Sequence, residues 1–329
     1  MTDQHNKSVD VIAWAVGDAA LDGPPLAAAI GNFDGVHRGH QRVVAAACVA
    51  ANRDGLTPAI VTFDPHPREF FRQDDAPFHL ADRAEKDQLL SGLHIDRIIH
   101  ITFDDALRRT DAADFVSSIL PAIGVQQLYA GEDFAFGRGR SGHIETINDY
   151  GQPVGITAHA VPLLQDENSV VISSSRVRAA LQAGDPVAAA AMLGRDWAIT
   201  GTVITGDQRG RTIGYPTANI ALQTLQHPAF GVYAVEVDID DGSATPYTIA
   251  GGVANIGVRP TFDSRGVLCE VHLFDTDRDL YGQRLRVRLK AFLRPEQRFS
   301  GVDELLRQIA LDAEQARQIL PPLTMRQSG

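Results

Sequence analysis

His37 and His40 stand three residues apart in the stretch Gly31-Asn32-Phe33-Asp34-Gly35-Val36-His37-Arg38-Gly39-His40. An apolar run, Leu26 to Ile30, leads in, and a small-residue helix is expected to lead out, from His40 to Asn52. The unpaired N–H groups that open a helix are partially positive and suit phosphate. Gly35 and Gly39 would let the backbone approach a ligand closely, and the two imidazoles can hydrogen-bond phosphoryl oxygens. A tight βα turn with two exposed histidines is the plain alternative. Two histidines, two glycines and an aspartate between Asp34 and His40 favour anion handling instead.

Other chemistry-bearing residues recur in loops. Thr62-Phe63-Asp64-Pro65-His66-Pro67 ends an apolar run, and each proline holds its predecessor extended, a stiff exit with Asp64 and His66 near one edge. Downstream, Gly137, Gly139 and Gly142 match G-x-G-x-x-G. That fingerprint belongs directly after a strand, and here Asp133-Phe134-Ala135-Phe136 intervenes, so dinucleotide binding is not assigned. Phe134 and Phe136 read equally as core or as flanks for a planar ring. In Ile172-Ser173-Ser174-Ser175-Arg176-Val177-Arg178 the serines are N-cap formers, and Arg178, one turn in, can reach back to an anion held there. Together these loops offer N–H groups, hydroxyls, imidazoles and an arginine, without a nucleophile–base pair. That set suits in-line attack of a substrate phosphate on a nucleotide α-phosphate.

In the second half, Gly206-Asp207-Gln208-Arg209-Gly210-Arg211-Thr212 is not a Walker A loop, because its spacing is wrong and the lysine is missing. Gly214-Tyr215-Pro216-Thr217-Ala218-Asn219 puts Thr217 and Asn219 on one strand face. They offer two neutral oxygens, a partial shell for Mg²⁺ already held by ATP phosphates. From those two residues alone a merely polar strand face is preferred. Glu270, mid-strand in Cys269-Glu270-Val271-His272-Leu273, is either an exposed-face glutamate or a carboxylate beside an attacking hydroxyl.

The elements that would position these groups follow from the patterning. Strands are expected at Leu26–Gly31, Pro58–Phe63, Arg97–Thr102, Val125–Ala130 and Val154–Val161, with helices at His40–Asn52, Asp82–Ser91, Ala112–Leu120 and Ile144–Tyr150. Short all-apolar strands joined by helices imply an α/β domain with a parallel, doubly wound sheet, whose ligands bind beyond the strands' carboxyl ends. Ala179 to Leu193 reads as a helical hairpin broken at Gly184-Asp185-Pro186. From Trp197 onward turns replace helices between Ala198–Ile204, Val232–Ile239, Tyr247–Val253, Leu268–Leu273 and Leu285–Leu293, an antiparallel β-barrel pattern closed by one helix from Val302. Domains are expected at 11–195 and 196–325.

The 329 residues suffice for two cores. A net charge of −11 argues against a nucleic-acid or anionic-membrane surface. Against it, Arg138/Arg140, Arg176/Arg178 and Arg209/Arg211 in expected turns point to small anionic ligands. Two cysteines, Cys48 and Cys269, are too few for a disulfide framework or a cysteine zinc site. With no bilayer-length apolar stretch and no secretion signal, a cytoplasmic location is expected.

The string G-N-F-D-G-V-H-R-G-H resembles the H-x-G-H signature of nucleotidyltransferases, and in its full form the prokaryotic bifunctional riboflavin kinase/FAD synthetases. T-F-D-P-H-P, G-x-D-F-x-F-G, I-S-S-S-x-V-R, G-R-T-I-G-Y-P-T-A-N, A-N-I-G-V-R-P-T-F and C-E-V-H-L are similar to further family blocks, in order, over about residues 25 to 320. Ala135 stands where arginine is common, Ser175 for threonine, Tyr215 for phenylalanine and Thr205 for histidine. The resemblance implies ATP-dependent phosphorylation of riboflavin to FMN in the barrel and adenylylation of FMN to FAD in the first domain, both with Mg²⁺. It implies nucleotide contacts at Gly31, Asn32, Phe33, Asp34, Gly35, His37, His40, Ser174, Ser175 and Arg178, and FMN contacts at Asp64, His66, Asp133, Phe134 and Phe136. In the barrel it implies nucleotide contacts at Gly206, Gly210, Arg211, Gly214, Thr217 and Asn219, the last two as metal ligands, with Glu270 as base. The alternatives are a nucleotidyltransferase of another substrate with a flavin-binding barrel, or an inactive flavin-binding regulator.

Overall fold

In the computed structural model, which describes residues 9–72, 74–205, 215–241, 247–258, 266–276 and 278–322, the alternating apolar runs of the first half form one parallel sheet. Its strands are β1 (Asp10–Trp14), β2 (Leu26–Ile30), β3 (Thr57–Asp64), β4 (Arg97–Thr102), β5 (Val125–Gly131) and β6 (Thr157–Val161), in the order β1-β4-β3-β2-β5-β6. All five pairings are parallel. Every residue of β2 is buried. Alternation sends Ala28 and Ile30 to one core layer and Ala27 and Ala29 to the other, so helices cover both faces. The helices of this half are α1 (Arg38–Asp54), α2 (Pro67–Phe71), α3 (Arg83–Ser91), α4 (Asp105–Arg109), α5 (Ala112–Asp114), α6 (Leu120–Ala122) and α7 (Ile144–Gly151). α5 and α6 are joined through a π-turn, Phe115–Ile119, where one continuous helix was expected.

Two further differences have local causes. β1 was not expected, although Val11 to Val16 is apolar; it is a short edge strand with three of its five residues exposed. β6 begins at Thr157, not Val154, because Pro153 and the left-handed Gly155 make a 3₁₀ turn first.

The second half contains α8 (Ser174–Gln182) and α9 (Pro186–Leu193), then β7 (Ala198–Thr202), β8 (Ala218–Ala221), β9 (Gly231–Ile239), β10 (Tyr247–Val258), β11 (Val267–Leu273), β12 (Arg284–Pro295) and α10 (Val302–Ile319). The sheet order is β7-β12-β9-β10-β11-β8, all antiparallel. An Ile204–Asn219 bridge brings the chain after β7 back to β8, so the barrel is nearly closed. The helical hairpin breaks as its sequence implies, with Asp185 capping α9 through the Ala188 N–H at 2.8 Å.

Packing groups the chain into two units, Met1–Ala76 with Lys86–Ile172 and Pro77–Glu85 with Ser173–Gly329. The helical hairpin therefore sorts with the barrel rather than with the parallel sheet, a division near residue 172 instead of 195. Its reason is contact: Gly184 lies against Phe292 of β12, and α9 packs on the same strand. The segment 77–85 is held there too, by the Trp197 indole donating to the Leu80 carbonyl at 2.7 Å.

That segment delivers a buried acid. Glu85 is 4% exposed and receives the Thr200 hydroxyl at 3.4 Å. Burial pushes its carboxyl up to about 7 against the pull of Arg286 and Arg195. The folded state thus holds its proton more tightly than the unfolded chain. Stability from this group is complete below its ordinary pKa and is lost as pH rises toward 7, by on the order of 3 kcal/mol. Glu85→Gln should gain on wild type between pH 5 and pH 8. Urea unfolding followed at Trp197 in a Trp14→Phe background measures this, and a pH-independent difference between the two proteins refutes it.

Candidate functional site

β2 ends in a turn that no ordinary backbone makes. Phe33, Gly35 and Val36 take φ of 51°, 77° and 43°, and Val36 N–H closes on the Phe33 carbonyl at 3.1 Å. A β-branched residue in that region costs about 1–3 kcal/mol and persists where surroundings enforce it. Here Phe33 and Val36 are both buried, which anchors the loop. The strained turn brings Asp34, also buried, up to the start of α1.

His37 is the N-cap of α1, which begins at Arg38, two residues before the expected His40. Its Nδ1 accepts the His40 backbone N–H at 3.3 Å. In the neutral ring the proton therefore lies on Nε2. The two imidazoles stack with centroids 3.6 Å apart and planes at 17°, and the Phe33 ring meets His40 edge-on at 5.3 Å. Gly39 is explained by this stack rather than by ligand approach. A Cβ there would lie 3.0 Å from His37 Cε1.

His40 Nδ1 is buried and has no hydrogen-bond partner among the described residues. Burial, His37 and Lys86, in that order, hold the His40 ring's pKa well below its ordinary value. At neutral pH it is an uncharged donor or acceptor. Lys86, on α3, is a cation near this pair that no motif or spacing in the sequence announced.

The remaining first-half candidates divide. Asp64 closes β3 before a cis bond to Pro65, and His66 caps α2 by accepting the Arg68 N–H at 3.0 Å. Asp133 is exposed. Phe136 belongs to the sheet's core, with Phe115 at 5.1 Å. Phe134 is only half-buried, stacked on Phe136 at 5.7 Å. The glycine-rich stretch makes a 3₁₀ turn, Arg138–Arg140, and a Phe136–Gly142 bridge, not the start of a helix, which excludes the dinucleotide fingerprint.

In the barrel unit Ser173, rather than Ser174 or Ser175, caps α8, and the other two form its first turn. Arg178, expected to turn back toward an anion, donates from Nε to the Phe78 carbonyl at 2.7 Å. Its guanidinium lies 5.4 Å from the Phe78 ring.

Pro216, Thr217, Ala218 and Asn219 line a cavity of about 390 Å³, closed on another side by Leu273, Thr276 and the run Arg278–Tyr281. Glu270 does not line it. It lies directly across the ladder from Asn219 on β8 and from Asn255 on β10, so three polar residues share one row of the sheet. Asn255, Thr276 and Arg278–Tyr281 were not singled out from sequence, since only the folded chain brings them to the site. Gly206, Gly210, Arg211 and Gly214 lie outside the described residues.

Known proteins match this arrangement along its length. An FAD synthetase family model matches residues 22–176, and a riboflavin kinase model matches residues 193–320. Bifunctional riboflavin kinase/FMN adenylyltransferases from Pseudomonas fluorescens and Escherichia coli K12 are 42% and 39% identical. They align over 91% and 88% of this chain and 94% and 91% of their own lengths. The chain belongs to that bifunctional family.

The family's Bacillus subtilis member is 36% identical over 88% of this chain and 90% of its own. A crystal structure described as a macrolide-efflux protein from Streptococcus pneumoniae superposes with a TM-score of 0.79. It is 30% identical over 93% of this chain and 99% of that one. Among the described residues no helix is long and apolar enough to cross a membrane. Nor do three or more His, Cys, Asp or Glu side chains gather there as a metal cage. The neutral oxygens of Thr217 and Asn219 fit a hard cation whose other ligands are phosphate oxygens and water.

Proposed function

We propose that this chain converts riboflavin to FAD in two ATP-dependent steps, phosphorylation in the barrel unit and adenylylation in the parallel-sheet unit. In the first step the ribityl hydroxyl attacks the γ-phosphorus, its bond to ADP breaks, and Glu270 takes the hydroxyl proton. Thr217 and Asn219 would hold the nucleotide's Mg²⁺, which would supply positive charge to offset that of the phosphates.

In the second step the FMN phosphate attacks the α-phosphorus of ATP and pyrophosphate leaves. His37 and His40 act as hydrogen-bond donors to the oxygens where charge develops. The N–H groups opening α1 bind the nucleotide phosphates. Asp64, His66, Asp133 and Phe134 contact FMN. Neither step requires a covalent enzyme intermediate.

The stacked His37–His40 pair at the mouth of α1 carries this reading for the adenylylation step. The neutral His40 ring and its unpartnered buried Nδ1 are what an oxyanion site needs before substrate arrives. Incubation with riboflavin, ATP and Mg²⁺, followed by chromatographic separation of flavins, should yield FMN and then FAD, and chelation of Mg²⁺ should stop both. FMN alone would leave only the kinase, and unchanged riboflavin would leave a flavin binder.

A further inference from the structure

We infer that His272 is a positioning residue for riboflavin phosphorylation, its ring N–H holding the Pro216 carbonyl and thereby fixing the Thr217–Asn219 wall of the barrel cavity. The inference rests on the reading of that cavity as the kinase's nucleotide and metal site.

The ladder between β11 and β8 ends at the Val271–Ala218 pair, so Thr217 and Pro216 lie beyond its last rung. Proline has no N–H to donate. The carbonyl of Pro216 instead meets His272 Nδ1 at 3.0 Å. Because a carbonyl only accepts, Nδ1 is the protonated nitrogen. The ring is oriented from both sides, by Tyr215 edge-on at 5.0 Å and by Phe274 at 6.2 Å. His272 and Glu270 alternate on β11 and share a face. The strand that carries the proposed base therefore also pins the segment that carries the proposed metal ligands. The ladder already fixes Asn219 opposite Glu270, and this hydrogen bond, between residues 56 apart in sequence, extends the hold past the last rung to Pro216 and Thr217.

Asparagine can place its amide N–H close to the position of imidazole Nδ1–H, whereas glutamine reaches toward that of Nε2. His272→Ala should lower kcat/KM for phosphorylation about five- to tenfold, the size of one neutral hydrogen bond. The loss should fall mainly on KM for MgATP. His272→Asn should recover most of it and His272→Gln should not, while all three keep the wild-type thermal unfolding of the barrel and adenylylate supplied FMN at the wild-type rate. Impairment of all three variants alike overturns the inference, because the aromatic packing and not the N–H would then matter. Thr217→Ala, assayed alongside, separates the two levels. Wild-type phosphorylation by Thr217→Ala overturns the reading of the cavity and the positioning role with it. Unaffected His272 variants beside an inactive Thr217→Ala overturn the positioning role alone.

Discussion

His40→Ala should lower FAD formation from FMN by about 10²- to 10³-fold, the cost of removing one preorganised donor from a developing oxyanion. Riboflavin phosphorylation by the same preparation should be unchanged, since the pair sits in the parallel-sheet unit and Thr217, Asn219 and Glu270 in the barrel unit. His37→Ala confounds two effects, because His37 also caps α1. Losing a cap costs about 1 kcal/mol of stability. His37→Asn keeps a good cap and removes only the imidazole, so it should retain thermal stability while losing adenylylation as His40→Ala does. The ionisation of His40 adds a second signature. Because the folded protein holds that ring neutral well below pH 6.5, the adenylylation rate should stay level as pH is lowered through the usual histidine range. An equal loss of both activities in His40→Ala, or a rate that follows a half-point near 6.5, contradicts the assignment.

The histidine turn was legible because its chemistry is local. Three residues of spacing, a strand before and a helix after are all sequence-adjacent, and the structure puts His37 and His40 ring on ring. The purpose of Gly39 was not legible, because it depends on where the His37 ring lies. The parallel sheet was readable from β2 and β3, whose residues are nearly all buried and apolar. β1 was not assigned although Val11 to Val16 is apolar, and its exposed residues place it at the sheet edge.

The deeper omissions come from contacts between distant parts of the chain. Phe136 looks the same in sequence whether it packs on Phe115 or on a ligand, and only the folded core decides. Arg178 is drawn to Phe78, 100 residues away, and nothing in the serine-rich motif foretells that partner. Strand register likewise sets Asn255 beside Glu270, and no local pattern encodes register.

Glu270→Gln should reduce riboflavin phosphorylation by about 10²- to 10⁴-fold, the usual contribution of a positioned general base, while supplied FMN is still converted to FAD. The amide is nearly isosteric with the carboxyl group and occupies the same ladder row as Asn219 and Asn255. What it lacks is the capacity to take a proton from the ribityl hydroxyl at pH 7. The barrel should therefore melt as wild type does, and MgATP should bind with unchanged affinity, because its proposed ligands Thr217 and Asn219 are intact. A loss confined to kcat distinguishes a base from a nucleotide contact, which would appear in KM. Glu270→Asp keeps the base but withdraws it by one methylene, and should fall between the two. Since phosphoryl transfer relies chiefly on positioning and charge stabilisation, a kcat within about threefold of wild type in Glu270→Gln would mean that the hydroxyl proton leaves by another route. Glu270 would then be no more than a polar residue on the outer row of the barrel.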